Sequence, residues 1–197
     1  REIENKIDSF FRKVDGGVYQ KLKVDVPKRA ALIWGPPGTG KTASIVQVAN
    51  KYTKSFVDTC VVIWNTDALD PFDVKNFIQS FEYKDTKKLI LIAEDLGGIE
   101  IDQVKLKSMS SLLSLLDNKE KTFKIPVYIL ATTNHPESFL GNLTNRPQRF
   151  DIKIHVNNPN GAQRKELLGF FLRNFSKDYA PDAIVDAMTF ITKEKFK

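Results

Sequence analysis

Residues 35 to 42 read Gly35-Pro36-Pro37-Gly38-Thr39-Gly40-Lys41-Thr42, with glycines, a lysine and a hydroxyl in the spacing G-x-x-x-x-G-K-[ST]. The chemistry this run can do is phosphate binding. Glycines let the backbone curl so that successive N–H groups point inward at phosphate oxygens, and a helix that begins here adds the positive end of its dipole. Lys41 would reach the β and γ phosphates of a nucleotide, and Thr42 would give its hydroxyl to an Mg²⁺ ion bridging the same phosphates. The flanks suit the motif, since the apolar run Ala30-Ala31-Leu32-Ile33-Trp34 precedes it and the helix-prone Ala43-Ser44-Ile45-Val46 follows.

Binding alone does not make a hydrolase. Hydrolysis needs an acid on the metal and a group that orients water, usually at the carboxyl end of another parallel strand. Leu89-Ile90-Leu91-Ile92-Ala93-Glu94-Asp95 is an apolar strand ending in two carboxylates, the Walker B arrangement with the common Asp-then-Glu order inverted. Two registers fit. In one, Ala93 stands where the metal-binding acid would be and Glu94 is the base. In the other, Glu94 holds the metal side and Asp95 orients water; this register is preferred because Leu96 then falls where an apolar residue commonly follows the pair. An aspartate as base shifts the attacking water by about one C–C bond, and a misplacement of about 1 Å can cost ~100-fold in rate.

The elements that must position these groups are visible as apolar runs separated by helical spacing. Strands are predicted over 30–34, 61–65, 89–93, 127–132 and 152–156. Asp70-Pro71 reads as a helix start, followed by Val74, Phe77, Ile78 and Phe81 at i, i+3, i+4 and i+7. Met109, Leu112, Leu113 and Leu116 form a second stripe, and Leu167, Leu168, Phe171 and Phe175 a third; each stripe reads as core packing rather than a binding groove. Near-continuous apolar strands alternating with amphipathic helices predict a doubly wound α/β fold, a five-stranded parallel sheet sandwiched by helices. Beyond Pro159 the pattern turns purely helical, with a further stretch from Pro181 through Ile184, Val185 and Met188.

Composition bounds the rest. The 197 residues, 42% apolar and 27% charged, suit a globular domain plus the start of a second. Net charge is +6, but sign alternates in clusters such as Lys119-Glu120-Lys121, which reads as a solvated face rather than a nucleic-acid footprint. No apolar run approaches bilayer length and the N-terminus lacks a signal-peptide layout. The single cysteine, Cys60, reads as a small buried residue and suggests the cytoplasm or another reducing compartment. His135 and His155 lack metal-ligand spacing and read as structural.

Val127-Tyr128-Ile129-Leu130-Ala131-Thr132 is followed by Thr133-Asn134, and then by Asn145-Arg146-Pro147-Gln148-Arg149-Phe150-Asp151. Together with the phosphate loop and the acid pair, in this order, the chain resembles the AAA clade of the AAA+ ATPases over roughly residues 28 to 175. That resemblance implies a P-loop NTPase fold with ATP and Mg²⁺ as cofactors. It implies a nucleotide-binding subdomain over 1–158, which includes an N-terminal helical extension at about 1–25, and the start of a helical lid over 159–197 that stops before sensor 2. It gives Asn134 the sensor 1 role of positioning water against the γ-phosphate, and Arg146 and Arg149 the role of arginine fingers completing a neighbouring subunit's site. A guanidinium supplied this way is worth about 10³ to 10⁵ in rate. Head-to-tail contacts of this kind close into a ring, here a homo-oligomer with a hexamer as the candidate size.

The implied activity is ATP hydrolysis driving remodelling of a macromolecule, with protein favoured over nucleic acid. The alternatives are a loader-type ATPase acting on DNA, motivated by the positive charge, and a slowly hydrolysing ATP-gated scaffold, motivated by the inverted acids. Members that thread polypeptide carry an aromatic, an apolar residue and glycine after the second strand. Here Leu69-Asp70-Pro71-Phe72-Asp73-Val74 offers Phe72 alone, either as that aromatic or as a core residue flanking a helix.

Overall fold

A computed structural model describes residues 2–55, 58–65, 71–80, 85–96, 115–117, 123–136 and 150–175. Five strands, β1 (Lys28–Trp34), β2 (Thr59–Asn65), β3 (Lys88–Glu94), β4 (Val127–Thr133) and β5 (Ile152–His155), form one sheet in the order β2-β3-β4-β1-β5. All four pairings are parallel. Among the described residues the helices of four residues or more are α1 (Glu2–Asp15), α2 (Val18–Lys21), α3 (Lys41–Ser55), α4 (Pro71–Ser80) and α5 (Gly161–Phe175). The predicted parallel α/β architecture is the one observed.

Strand periodicity sorts the side chains onto two faces. Ala31, Ile33, Ile90, Ile92, Tyr128 and Leu130 pack with Ile7, Phe10 and Phe11 of α1 and with Ile45, Val48, Ala49 and Tyr52 of α3. Ala30, Leu32, Leu89, Leu91, Val127 and Ile129 face the other way, onto Val74 and Ile78 of α4 and onto Leu115, Leu116 and Phe123. With both faces covered, every residue of the central strand β4 is buried, which is why these runs read as continuous rather than alternating. Each such aliphatic side chain contributes about 1.5–3 kcal/mol by leaving water.

The polar side of α1 is tied down as well. Lys51 of α3 pairs with Asp8 at 3.3 Å and Glu4 at 3.7 Å, and Lys88 pairs with Asp15 at 3.0 Å. Cys60 of β2 is half-buried against the second core. Burial pushes its thiol pKa up, away from the thiolate that reactive chemistry needs.

Some expectations need correction. On α4, Val74 and Ile78 are buried but Phe77 is 50% exposed. At 100° per residue Phe77 lies about 80° off the line midway between Val74 and Ile78, on the flank of the buried stripe. Phe72 sits in the first turn of α4 and is 60% exposed, so it is not a core residue. Leu167 of α5 is also half-exposed. Phe81, Met109, Leu112, Leu113 and the 181–188 stretch lie outside the described residues.

The chain divides into two compact units, Arg1–Val156 and Asn157–Lys197. The second contains α5, which opens on a reciprocal cap: Gln163 N donates to Asn160 Oδ1 and Asn160 N donates to Gln163 Oε1, both at 2.9 Å. Two of the helix's orphan donors are satisfied by this arrangement.

Candidate active site

Because the strands are parallel, the carboxyl ends of β1, β4 and β3 lie side by side. Ligands of open α/β sheets bind in the crevice outside those ends. Here the crevice is a cavity of about 380 Å³ whose lining includes Gly40, Lys41, Thr42, Glu94, Asp95 and Asn134. The phosphate loop follows β1, the acids end β3 and Asn134 follows β4, so groups far apart in sequence meet because β4 runs between β1 and β3.

The loop's shape depends on close approach and on backbone angle. Gly35 has φ of +153°, and a Cβ there would stand 2.0 Å from the carbonyl oxygen of Val156. This crowding arises because Val156 N donates to Trp34 O at 2.8 Å and the rings of Trp34 and His155 stack 3.7 Å apart at 15°. The end of β5 therefore grips the start of the loop. Gly38 and Gly40 have open space for a Cβ but φ of +76° and +87°, angles that L residues adopt at a cost. Gly35→Ala should cost at least about 2 kcal/mol through overpacking against backbone that cannot rotate away. Thermal unfolding of the variant, with a shift of several degrees expected, checks this.

Lys41 is 7% exposed. Its ammonium donates to the carbonyl oxygens of Gly35 and Pro36, both at 2.8 Å, and to Thr39 Oγ1 at 3.4 Å. Burial lowers its pKa, and the Asp95 charge opposes that shift. Thr39 Oγ1 itself donates to Pro36 O at 2.9 Å, and Ser44 N and Ser44 Oγ both donate to Gly40 O at 3.0 Å, closing the first turn of α3. Pro36 and Pro37 contribute no N–H and stiffen the loop's rim. Thr42 is exposed at the mouth.

On the opposite wall, Glu94 is the last residue of β3 and Asp95 has left the strand with φ of +52°. A left-handed angle at a non-glycine residue costs of order 1 kcal/mol and tends to persist where surrounding contacts hold it. Asn134 Nδ2 donates to Asp95 Oδ1 at 2.7 Å, Asp95 N donates to Thr132 Oγ1 at 2.9 Å, and Leu96 N donates to Thr132 O at 2.7 Å. The main-chain turn and the carboxylate are thus each anchored on β4 or the residue just after it.

The donor set fits a nucleotide triphosphate with Mg²⁺. Among the described residues, no three of His, Cys, Asp and Glu are grouped to hold a metal by themselves. Mg²⁺ does not need such a cage, because it is commonly bound through one or two carboxylates together with substrate phosphates and water. Thr42, Glu94 and Asp95 on one cavity supply that kind of oxygen.

Eleven of the thirteen expected site residues fall in the described chain: Gly35 to Thr42, Glu94, Asp95 and Asn134. Arg146 and Arg149 lie outside the described residues. Thr132 was not anticipated, although a hydroxyl near the end of an otherwise apolar strand was a readable signal. The Trp34–His155 stack was not anticipated either, because it depends on β1 and β5 being neighbours.

Residues 31–158 match the family described as ATPase family associated with various cellular activities (AAA). The chain is similar to the Cell division cycle protein 48 homolog of Archaeoglobus fulgidus, 28% identical over 166 residues that cover 79% of this chain and 22% of that protein. It is similar to the proteasome-activating nucleotidase of Methanocella arvoryzae, 28% identical over 192 residues, 90% of this chain and 43% of that protein. It is also similar to the ATP-dependent zinc metalloprotease FtsH of Helicobacter felis, 30% identical over 172 residues, 76% of this chain and 25% of that protein. The chain therefore spans between 22% and 43% of the length of these relatives. Among the described residues no helix is long and apolar enough to cross a membrane.

Proposed function

The chain belongs to the AAA family of ATPases, and on that premise we propose that it binds and hydrolyses ATP with Mg²⁺ at the subunit interfaces of a ring, and that the cycle remodels a macromolecular target. The observation that carries the reading is the convergence of Lys41, Thr42, Glu94, Asp95 and Asn134 on one cavity.

Lys41 rests on neutral carbonyl oxygens, and anionic phosphate oxygens are stronger acceptors for an ammonium, so exchange of partners on binding is favourable. When bound, Mg²⁺ neutralises charge developing on the transferred phosphoryl group. Thr42 and Glu94 would hold the metal side. Asp95 would orient water, and its bond to Asn134, the residue read as sensor 1, supports this register over the one that makes Glu94 the base. Arg146 and Arg149 would complete the neighbour's site. The subdomain assignment, 1–158 for nucleotide binding and 159–197 for the start of a lid, belongs to the same reading, as do a polypeptide target and a reducing compartment. Similarity to a proteasome-activating nucleotidase and to an ATP-dependent protease favours protein as the target.

Phosphate release by the full-length protein tests this. Turnover should require Mg²⁺, vanish with chelator and rise with unfolded polypeptide. Stimulation by DNA instead, falling steeply with salt, would replace the target with nucleic acid. A second reading, an ATP-gated scaffold, is favoured by the shorter acid at position 95; tight ATP binding with negligible turnover in every assembly would establish it.

A further inference from the structure

We propose that Thr132 is a positioning residue of this cleft: its hydroxyl holds the left-handed turn after β3 that presents the Asp95 carboxylate to Asn134. The inference rests on the reading of Asp95 as the group that orients water.

The β3–β4 ladder ends at the pair Ala93 and Ala131. Past that point two N–H groups of the departing chain converge on Thr132. Leu96 N donates to its carbonyl at 2.7 Å and Asp95 N to its Oγ1 at 2.9 Å. The hydroxyl thus acts as an extra acceptor where the ladder offers none. Two consecutive anchors, residues 95 and 96, straddle the point where φ is +52°, and the carboxylate leaves that turn to accept from Asn134 Nδ2 at 2.7 Å.

The residue type suits the task. Thr132 is 3% exposed and contributes to the cavity lining, so its side chain is packed rather than free to rotate. A β-branched residue is stiff at χ1, which leaves Oγ1 a fixed acceptor. Valine would fill the same space and keep the backbone anchor to Leu96, while removing only the bond to Asp95 N. An unpinned turn lets the carboxylate drift, and a shift of about 1 Å at a reacting group can cost ~100-fold in rate.

The test is steady-state ATP turnover and nucleotide affinity in the full-length protein for Thr132→Val, Thr132→Ser and Asp95→Asn. For Thr132→Val, kcat should fall about 10- to 100-fold while affinity for a non-hydrolysable ATP analogue stays within about 3-fold, because the phosphate loop is untouched. Thr132→Ser, which keeps the acceptor, should recover most of the loss. Adding Thr132→Val to Asp95→Asn should cost little more, since both act through one carboxylate. A Thr132→Val protein with kcat within about 2-fold of the parent, or with the loss confined to KM, overturns the proposal. If Thr132→Val lowers the thermal midpoint sharply, Thr132→Ala and Thr132→Ser are compared instead, and equal kcat in those two overturns it. Should Asp95→Asn leave turnover unchanged, the reading of Asp95 itself fails; if Asp95→Asn is inactive and Thr132→Val is not, only the inference about Thr132 fails.

Discussion

Lys41→Ala should weaken ATP affinity at least about 100-fold, because it removes charge-assisted hydrogen bonds worth about 1.5–3 kcal/mol each. The ammonium already sits in the curl of the loop, 2.8 Å from the carbonyl oxygens of Gly35 and Pro36, so phosphate need only displace two neutral acceptors to gain a cation in place. Alanine removes that cation and leaves the loop's N–H groups and the α3 dipole to hold the phosphates unaided. Calorimetric titration with ATP and Mg²⁺ measures the loss. A thermal-unfolding control separates it from damage to the loop, since the same amine links both ends of the turn. Retained micromolar affinity in a folded variant would mean that residues 35–42 are not the phosphate site.

The elements behind this site were legible to different degrees. The strands were readable because both faces are buried, and residues 89–93 or 127–132 form runs no surface element would carry. Their ends were less so. Lys28, Arg29, Thr59, Lys88 and Glu94 extend the strands because the ladder is made by backbone groups, indifferent to side-chain polarity. The order of strands was not in the pattern at all, since nothing local says that β4 inserts between β1 and β3. That insertion gives Asn134 its access to Asp95. The turn at Asp95 was hidden for a related reason: its left-handed angle is held by Thr132, a partner 37 residues away. Phe77 was misjudged because helical spacing gives an angular position and not the width of the groove it meets.

The arginines carry the largest expected effect on turnover. Replacing both Arg146 and Arg149 by alanine should reduce ATP hydrolysis about 10³- to 10⁵-fold while sparing ATP binding, if they stabilise transition-state charge from the adjoining subunit. Pairing of Arg149 with Asp151, whose carboxylate also meets Arg29 Nη1 at 3.5 Å and Ala30 N at 3.4 Å, is the competing explanation for that arginine. A mixing experiment decides whether the action is in trans. Arg146→Ala, Arg149→Ala subunits keep their own acids, and Asp95→Asn subunits keep their arginines, so each preparation alone lacks one half of every interface. Mixed in equal amounts and reassembled at random in a head-to-tail ring, about a quarter of the interfaces join an intact acid to intact arginines. Turnover should therefore rise from near zero to about a quarter of the parental rate at equal mixing and fall away at either extreme. Absence of rescue at every ratio, with mixed assembly verified by tagged pull-down, would place the arginines outside the neighbouring site and with them remove the reason for a ring.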